Sequence, residues 1–250
     1  LAQAPQWLQS CPEWLQNFVY QLYQTFIYQD RYMFFVNGLK ITFIVTIGAL
    51  LLGTIIGLFI AIIRVSHDSV TEKKPNIILR MINRICIWYL TIIRGTPMMV
   101  QLLIMGFVII VPQTEIECII CGIVTLGINS GAYVAEIARS GIMSIDAGQM
   151  EAGRSMGFNY VQTMWYVIIP QAFKNILPAL GNEFIVLVKE TSVAGYVALQ
   201  DLTYVGNMIR SRTYEAFFPL ITVALIYLII VLILSFLLKR LERRLRNSDH

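Results

Sequence analysis

Five polar residues set in apolar sequence, Asn129, Ser130, Tyr133, Asn182 and Glu183, carry what a small polar solute needs: amides and hydroxyls that donate or accept, and a carboxylate that attracts positive charge. At helical periodicity Asn129, Tyr133, Glu136 and Ser140 share one arc, and Gly127, Gly131, Ala135 and Ala138 fall roughly opposite. One face is polar and the other packs. Gln171, Asn175, Pro178, Asn182 and Lys189 form a second polar stripe, with Glu183 and Glu190 along its edge. Such stripes serve either as a solute pathway or as a buried helix–helix interface. The pathway is the expectation, because burying so many ionisable groups for packing alone is a poor use of stability.

Four further residues are candidates for a pathway or gate: Glu136, Lys189, Glu190 and Arg94. Glu136 either faces a cavity or pairs with Arg139 one turn on, and Arg94 either turns inward or snorkels. Lys189 and Glu190 suggest an ion-paired latch near the outer end. Catalysis finds no support, since neither H-E-x-x-H nor G-x-S-x-G occurs. The absence of a G-x-x-x-x-G-K-[ST] loop leaves nothing to cradle ATP in the usual manner. Cys118 and Cys121 have CxxC spacing without a second Cys or His pair, which favours helix packing over a metal site.

The elements that position these groups are membrane helices. The chain is 57% hydrophobic and 14% charged, with mean hydropathy +0.67, against about 25% charged residues in a soluble domain. Spans are expected over Phe34–Ile63, on the membrane side of a break at Arg94-Gly95-Thr96-Pro97 as far as Val111, over Cys118–Arg139, over Ile168–Glu190 and over Pro219–Leu238. Gly53 and Gly57 give the first a close-packing face. Pro170 and Pro178 argue against an uninterrupted fourth helix. An amphipathic interfacial helix is expected over Pro12–Asp30, and another over Leu199–Ile209 on the outer surface. Residues 1–10 lack the basic start and apolar run of an intact signal peptide, and the opening at Leu1 leaves open whether a segment precedes it.

The net charge of +4 is clustered at Arg64, Lys73, Lys74, Arg80 and Arg84, and at Lys239, Arg240, Arg243, Arg244 and Arg246. These read as anchors on the cytoplasmic side, with the N-terminus outside and the C-terminus inside, rather than as a nucleic-acid surface. The fold class is therefore an all-α membrane protein with five transmembrane helices, an N-terminal interfacial helix and a short cytoplasmic helix. Residues 1–33 form the outer N-terminal segment, 34–240 the membrane domain and 241–250 a basic tail.

The short cytoplasmic helix lies in Ser144–Pro170. Asp146 followed by Gln149 has the form of a capping box, Gly157 can take the left-handed conformation that ends a helix, and Asn159 with Gln162 repeats the capping pattern. Glu151, Ala152, Gly153, Gly157, Val167, Ile169 and Pro170 resemble the EAA loop of ABC importer permeases, E-A-A-x3-G-x9-I-x-L-P, with Gly for the second Ala, Val for Ile and Ile for Leu. NGLKITF, RGTPMMVQL, NSGAYVAEIARSGI, GNEFIVLVKETS and TYEAFFPLITVALIYL are similar, in order, to segments of polar amino-acid permeases, covering about Asn37–Leu238.

The resemblance implies a permease subunit of an ATP-driven importer for polar amino acids. Asp146, Ala147, Gln149, Glu151, Ala152, Gly153 and Gly157, in loop 144–160, would couple to the ATPase. Asn129, Ser130, Tyr133, Asn182 and Glu183 would hold the substrate, and three acidic groups against one lysine hint at a cationic amino acid. Implied partners are two ATPase subunits carrying ATP and Mg, a second permease, identical or sister, an extracytoplasmic binding protein and the lipid bilayer. The alternatives are a proton-coupled secondary transporter, disfavoured because no internal repeat is visible, and an ABC permease for another small polar solute.

Overall fold

The computed structural model describes residues 12–68 and 76–246. Part of the first basic cluster, Lys73 and Lys74, and the expected loose N-terminus over residues 1–11 lie outside the described residues. The described residues form helices α1 (Glu13–Leu22), α2 (Arg31–Asp68), α3 (Ile77–Gly95), α4 (Met98–Ile104), α5 (Glu115–Met143), α6 (Ala147–Ser155), α7 (Tyr160–Thr163), α8 (Ile169–Glu190), α9 (Leu202–Thr213) and α10 (Phe217–Arg246), and no strand. Wide π turns follow α1, α4 and α7, and a 3-10 turn over Thr191–Val197 follows α8.

Length and apolarity suit three helical stretches to crossing a membrane: Glu13–Asp68, Glu115–Met143 and Phe217–Leu245. Ile77–Gly95 and Met98–Ile109, bent by 104°, make a fourth if they form one span. α8 is too polar to qualify by the same measure, since it carries Lys174, Glu183, Lys189 and Glu190. α10 is mostly exposed and apolar all round, including Leu225, Ile229, Leu232 and Phe236, as suits a helix facing hydrocarbon or another membrane chain. It continues as one helix past residue 240, into the stretch expected as a separate tail, because Glu242, Arg243 and Arg244 are good helix formers.

α2 and α5 make the most extensive packing, through the glycine face that the sequence suggests. A Cβ on Gly53 would come within 3.1 Å of Gly127 O, and one on Gly57 within 2.8 Å of Ala135 N. Gly127 and Gly131 accept Leu52 and Ile56 in return. Only glycine permits that separation of backbones. The main core sits where α2, α4, α5 and α8 meet, around Val45, Leu102, Leu126 and Leu187.

Three expectations need correction or refinement. Pro178 lies inside an unbroken α8, and Pro170 occupies its first turn, where a missing N–H is tolerated. α9 is amphipathic, but Leu202, Val205 and Ile209 are buried against α2 and α10 instead of resting on a surface. The N-terminal α-helix is shorter than Pro12–Asp30: α1 passes into a wide π turn over Tyr23–Ile27 and a tight 3-10 turn over Tyr28–Asp30, where Gln29 and Asp30 take positive φ before α2 begins. α1 docks on the start of α10, with Phe18 edge-on to Phe218 at 5.2 Å and Gln21 donating to Glu215 at 3.1 Å.

Candidate functional site: the polar faces of α5

Four residues within two turns of α5 reach four different helices. Asn129 Nδ2 donates to Gln101 Oε1 of α4 at 2.9 Å, and Ser130 Oγ donates to Glu183 Oε1 of α8 at 2.7 Å. The Tyr133 ring lies under the Arg94 guanidinium of α3 at 5.5 Å. Glu136 forms an ion pair with Arg64 of α2. α5 is thus the hub through which polar groups of the bundle are satisfied, and each bond has a local cause.

The Asn129 contact originates at the α3–α4 break. Pro97 caps α4, its carbonyl accepting from Val100 N and Gln101 N, so the preceding turn loses its helical donors. Gln101 Nε2 replaces them, at 2.7 Å from Ile93 O, 3.1 Å from Thr96 O and 2.8 Å from Thr96 Oγ1. Asn129 holds the oxygen end of that amide and is itself 3% exposed. It serves the bend.

Ser130 and Glu183 come together as expected. Both are buried, and among the described residues no cation pairs with Glu183. The carboxylate therefore rests on a hydroxyl donor in a low-dielectric setting, where a positive ligand group would be favoured. Asn182 follows the adjacent direction around α8 and is exposed. The five substrate candidates accordingly divide: Ser130 and Glu183 form one site, while Asn129, Tyr133 and Asn182 point elsewhere in the single chain.

Tyr133 and Glu136 line a second feature, an open cavity of about 450 Å³ bounded also by Arg64, Leu90, Thr91 and Arg94. The expected Glu136–Arg139 pair does not form. Arg139 instead binds Asp68 Oδ2 through Nη2 at 2.7 Å and Nε at 3.1 Å, because α2 runs alongside α5 and offers each charge a cross-helix partner. Arg94 is exposed, has no ion-pair partner among the described residues and stacks on Tyr133. Lys189 and Glu190 make no ion pair with each other among the described residues, as neighbours on a helix point about 100° apart. Arg64 and Gln101 were missed by the sequence reading. Gln101 had a readable signal, the nearest amide donor after a break that must orphan carbonyls.

The helix α6 stands exposed. Asp146 caps Gly148 N at 2.7 Å, but the expected capping box does not close, since Gln149 Oε1 accepts from Gln171 Nε2 of α8 at 3.2 Å. Asn175 Nδ2 donates to Ser144 Oγ at 2.9 Å. Two of the five residues of the α8 polar stripe therefore hold α6 and the end of α5 and are not free for solute. Gly157 takes φ +90 as expected, and Asn159 with Gln162 forms a complete capping box at 2.9 Å in each direction. Gly153 is the buried residue of α6, against Thr163 of α7, while Ala147, Glu151 and Ala152 are exposed.

A family model described as the binding-protein-dependent transport system inner membrane component matches residues 74–247. The chain belongs to this family, the permease subunits of ABC importers. It is 36% identical over 219 residues to the arginine transport system permease protein ArtQ of Bacillus subtilis, covering 86% of this chain and 94% of that one. It is 35% identical over 213 residues to the glutamine transport system permease protein GlnP of Escherichia coli K12, covering 84% and 92%. A crystal structure of an amino acid ABC transporter with histidines superposes with TM-score 0.76 at 42% identity, covering 88% of this chain and 98% of that one. The permease is thus an inner-membrane protein with helical spans. Family membership implies ATPase subunits and a substrate-binding protein as partners.

Proposed function

We propose that this permease forms the translocation pathway of an ATP-driven importer for polar amino acids, with preference for those carrying positive charge. The observation that carries the proposal is the Ser130–Glu183 pair, a buried carboxylate joining two helices with no cation of its own among the described residues. The substrates in the names of the relatives, arginine and glutamine, fit that site. An amino acid would place its ammonium or cationic side chain toward Glu183 and its carboxylate toward neutral or positive donors, with Tyr133 and Asn182 contributing when the helices rearrange. Glu136, Arg94, Lys189 and Glu190 would act along the pathway.

In this reading residues 34–240 cross the bilayer five times, by α2, α3 with α4, α5, α8 and α10. The N-terminal segment 1–33 lies outside, and the basic end, 241–250, inside. The exposed face of α6, with Asp146, Ala147, Gln149, Glu151 and Ala152, docks on one of two ATPase subunits, which bind ATP and Mg. Gly153 and Gly157 set the packing and the turn behind that face. Movement of α6 passes to α8 through Gln149–Gln171 and Ser144–Asn175, and so to Glu183 on the same helix. A second permease, identical or sister, completes the pathway.

The test is a screen of amino acids for stimulation of ATP hydrolysis by the reconstituted complex. Stimulation led by arginine, lysine or histidine supports the proposal, and stimulation led by glutamine removes the preference for positive charge. A complex that responds to no amino acid, while another small solute stimulates it, overturns it.

A further inference from the structure

The helix α3 carries a feature that solute transport does not use. Asn83, Cys86 and Leu90 are buried, while Ile78, Met81, Ile85, Trp88 and Ile92 are exposed. Between these two faces lies an open cavity of about 510 Å³ lined by Arg80, Asn83, Arg84, Ile87, Trp88 and Thr91. Arg80 and Arg84 are exposed, and neither has an ion-pair partner among the described residues. Asn83 is only 7% exposed, yet among the described residues its Oδ1 has no hydrogen-bond donor.

That combination specifies a ligand. Two guanidinium groups take an anion, most readily a phosphate. A buried amide oxygen takes a hydroxyl or ammonium. Exposed isoleucines and Trp88 beside them take hydrocarbon, and a tryptophan next to basic residues is typical of a bilayer interface. The position agrees: α2 ends at Asp68, bound to Arg139 near the end of α5, which leads into α6. The start of α3, nine residues after Asp68, lies toward that same membrane face.

We infer that α3 binds a membrane phospholipid whose headgroup bears a hydrogen-bond donor, as in phosphatidylglycerol or phosphatidylethanolamine. Arg80 and Arg84 hold its phosphate, the Asn83 amide turns from its buried position so that Oδ1 accepts from the headgroup hydroxyl or ammonium, and an acyl chain lies along Ile87 and Trp88. Phosphatidylcholine offers the phosphate without the donor, and inorganic phosphate lacks the chain. The site does not depend on which solute the permease carries.

Native mass spectrometry of the full-length chain in detergent, supplied with equal amounts of phosphatidylglycerol, phosphatidylethanolamine and phosphatidylcholine, tests the assignment. The expected result is retention of the first two well above phosphatidylcholine, unaffected by excess inorganic phosphate. Arg80→Ala and Arg84→Ala should each lower phosphatidylglycerol retention about fivefold, and Arg240→Ala on α10 should not. Asn83→Leu should abolish the preference over phosphatidylcholine. Equal retention of the three lipids by the wild-type chain overturns the inference without any variant. Displacement by inorganic phosphate, or a loss in Arg240→Ala equal to that in Arg80→Ala, does so too.

Discussion

Ser130 and Glu183, 53 residues apart in sequence, share a 2.7 Å hydrogen bond between α5 and α8. It links the helix that serves as polar hub to the helix bound to α6 by Gln149–Gln171 and to the end of α5 by Ser144–Asn175. Glu183→Gln keeps the acceptor and removes the charge. Uptake of a cationic amino acid by the assembled complex should fall at least about tenfold, equivalent to roughly 1.4 kcal/mol, with the thermal midpoint little changed. An unchanged concentration dependence would remove Glu183 from the substrate site.

Gln101 Nε2 donates to two carbonyls at the α3–α4 bend, next to Thr96 Oγ1, which donates to Ile92 O. Gln101→Leu leaves the carbonyls of Ile93 and Thr96 without that donor and strands the Asn129 amide. The expected loss is about 1–3 kcal/mol per buried group left unsatisfied, read as a lowered melting midpoint in detergent. A double-mutant cycle with Asn129→Leu should show coupling of at least ~0.5 kcal/mol, whereas additive losses would refute the shared role.

At Gly153 two effects oppose each other. Gly153→Ala gains up to about 1 kcal/mol of helix propensity, but the new methyl overlaps Thr163 Cγ2, which is fully buried. Overpacking typically costs about 1–3 kcal/mol, so a net loss is expected. Thr163→Ser, which removes that methyl, should restore Gly153→Ala. Stabilisation by Gly153→Ala alone would mean that the α6–α7 contact is looser than the structure has it.

Charge reversal distinguishes the two cross-helix pairs of α5. Arg64→Glu or Glu136→Arg alone places like charges together between α2 and α5 and should lower stability and transport. The double reversal should recover much of the loss. If Glu136 belonged with Arg139, combining Glu136→Arg with Arg139→Glu would rescue instead.

Asp201 gives a pH dependence outside the spans. It is fully buried ahead of α9, accepting from Thr203 N at 2.9 Å, Tyr204 N at 3.0 Å and Tyr227 OH at 3.3 Å. Burial outweighs these bonds and pushes its pKa from 3.8 up to about 6. The folded state therefore binds the proton more tightly than the unfolded one. The stabilisation is fully present below about pH 4 and is lost as pH rises through 6, up to about 3 kcal/mol. Asp201→Asn retains a capping oxygen without titrating. Between pH 4.5 and 7.5 the wild-type melting midpoint should fall further than that of the variant, and parallel curves would contradict the assignment.

The sequence by itself determined the features that depend on nearest neighbours along the chain. The break before Pro97, the positive φ at Gly157, the Asn159–Gln162 capping box and the glycine face of α2 follow from local backbone limits and helical periodicity, and all appear in the structure. Periodicity also separated the packed face of α5 from its polar face. What it could not assign was partners. Glu136 had Arg139 one turn away and chose Arg64, 72 residues distant; Gln149 left its own capping box for Gln171; Asn129 went to Gln101. A helix fixes the direction of each side chain, but which helix stands in that direction is settled only when the apolar faces close around the core. The tertiary structure therefore decided which polar residues are neutralised by packing and left Glu183, like Asp201, as a buried carboxylate without a countercharge among the described residues.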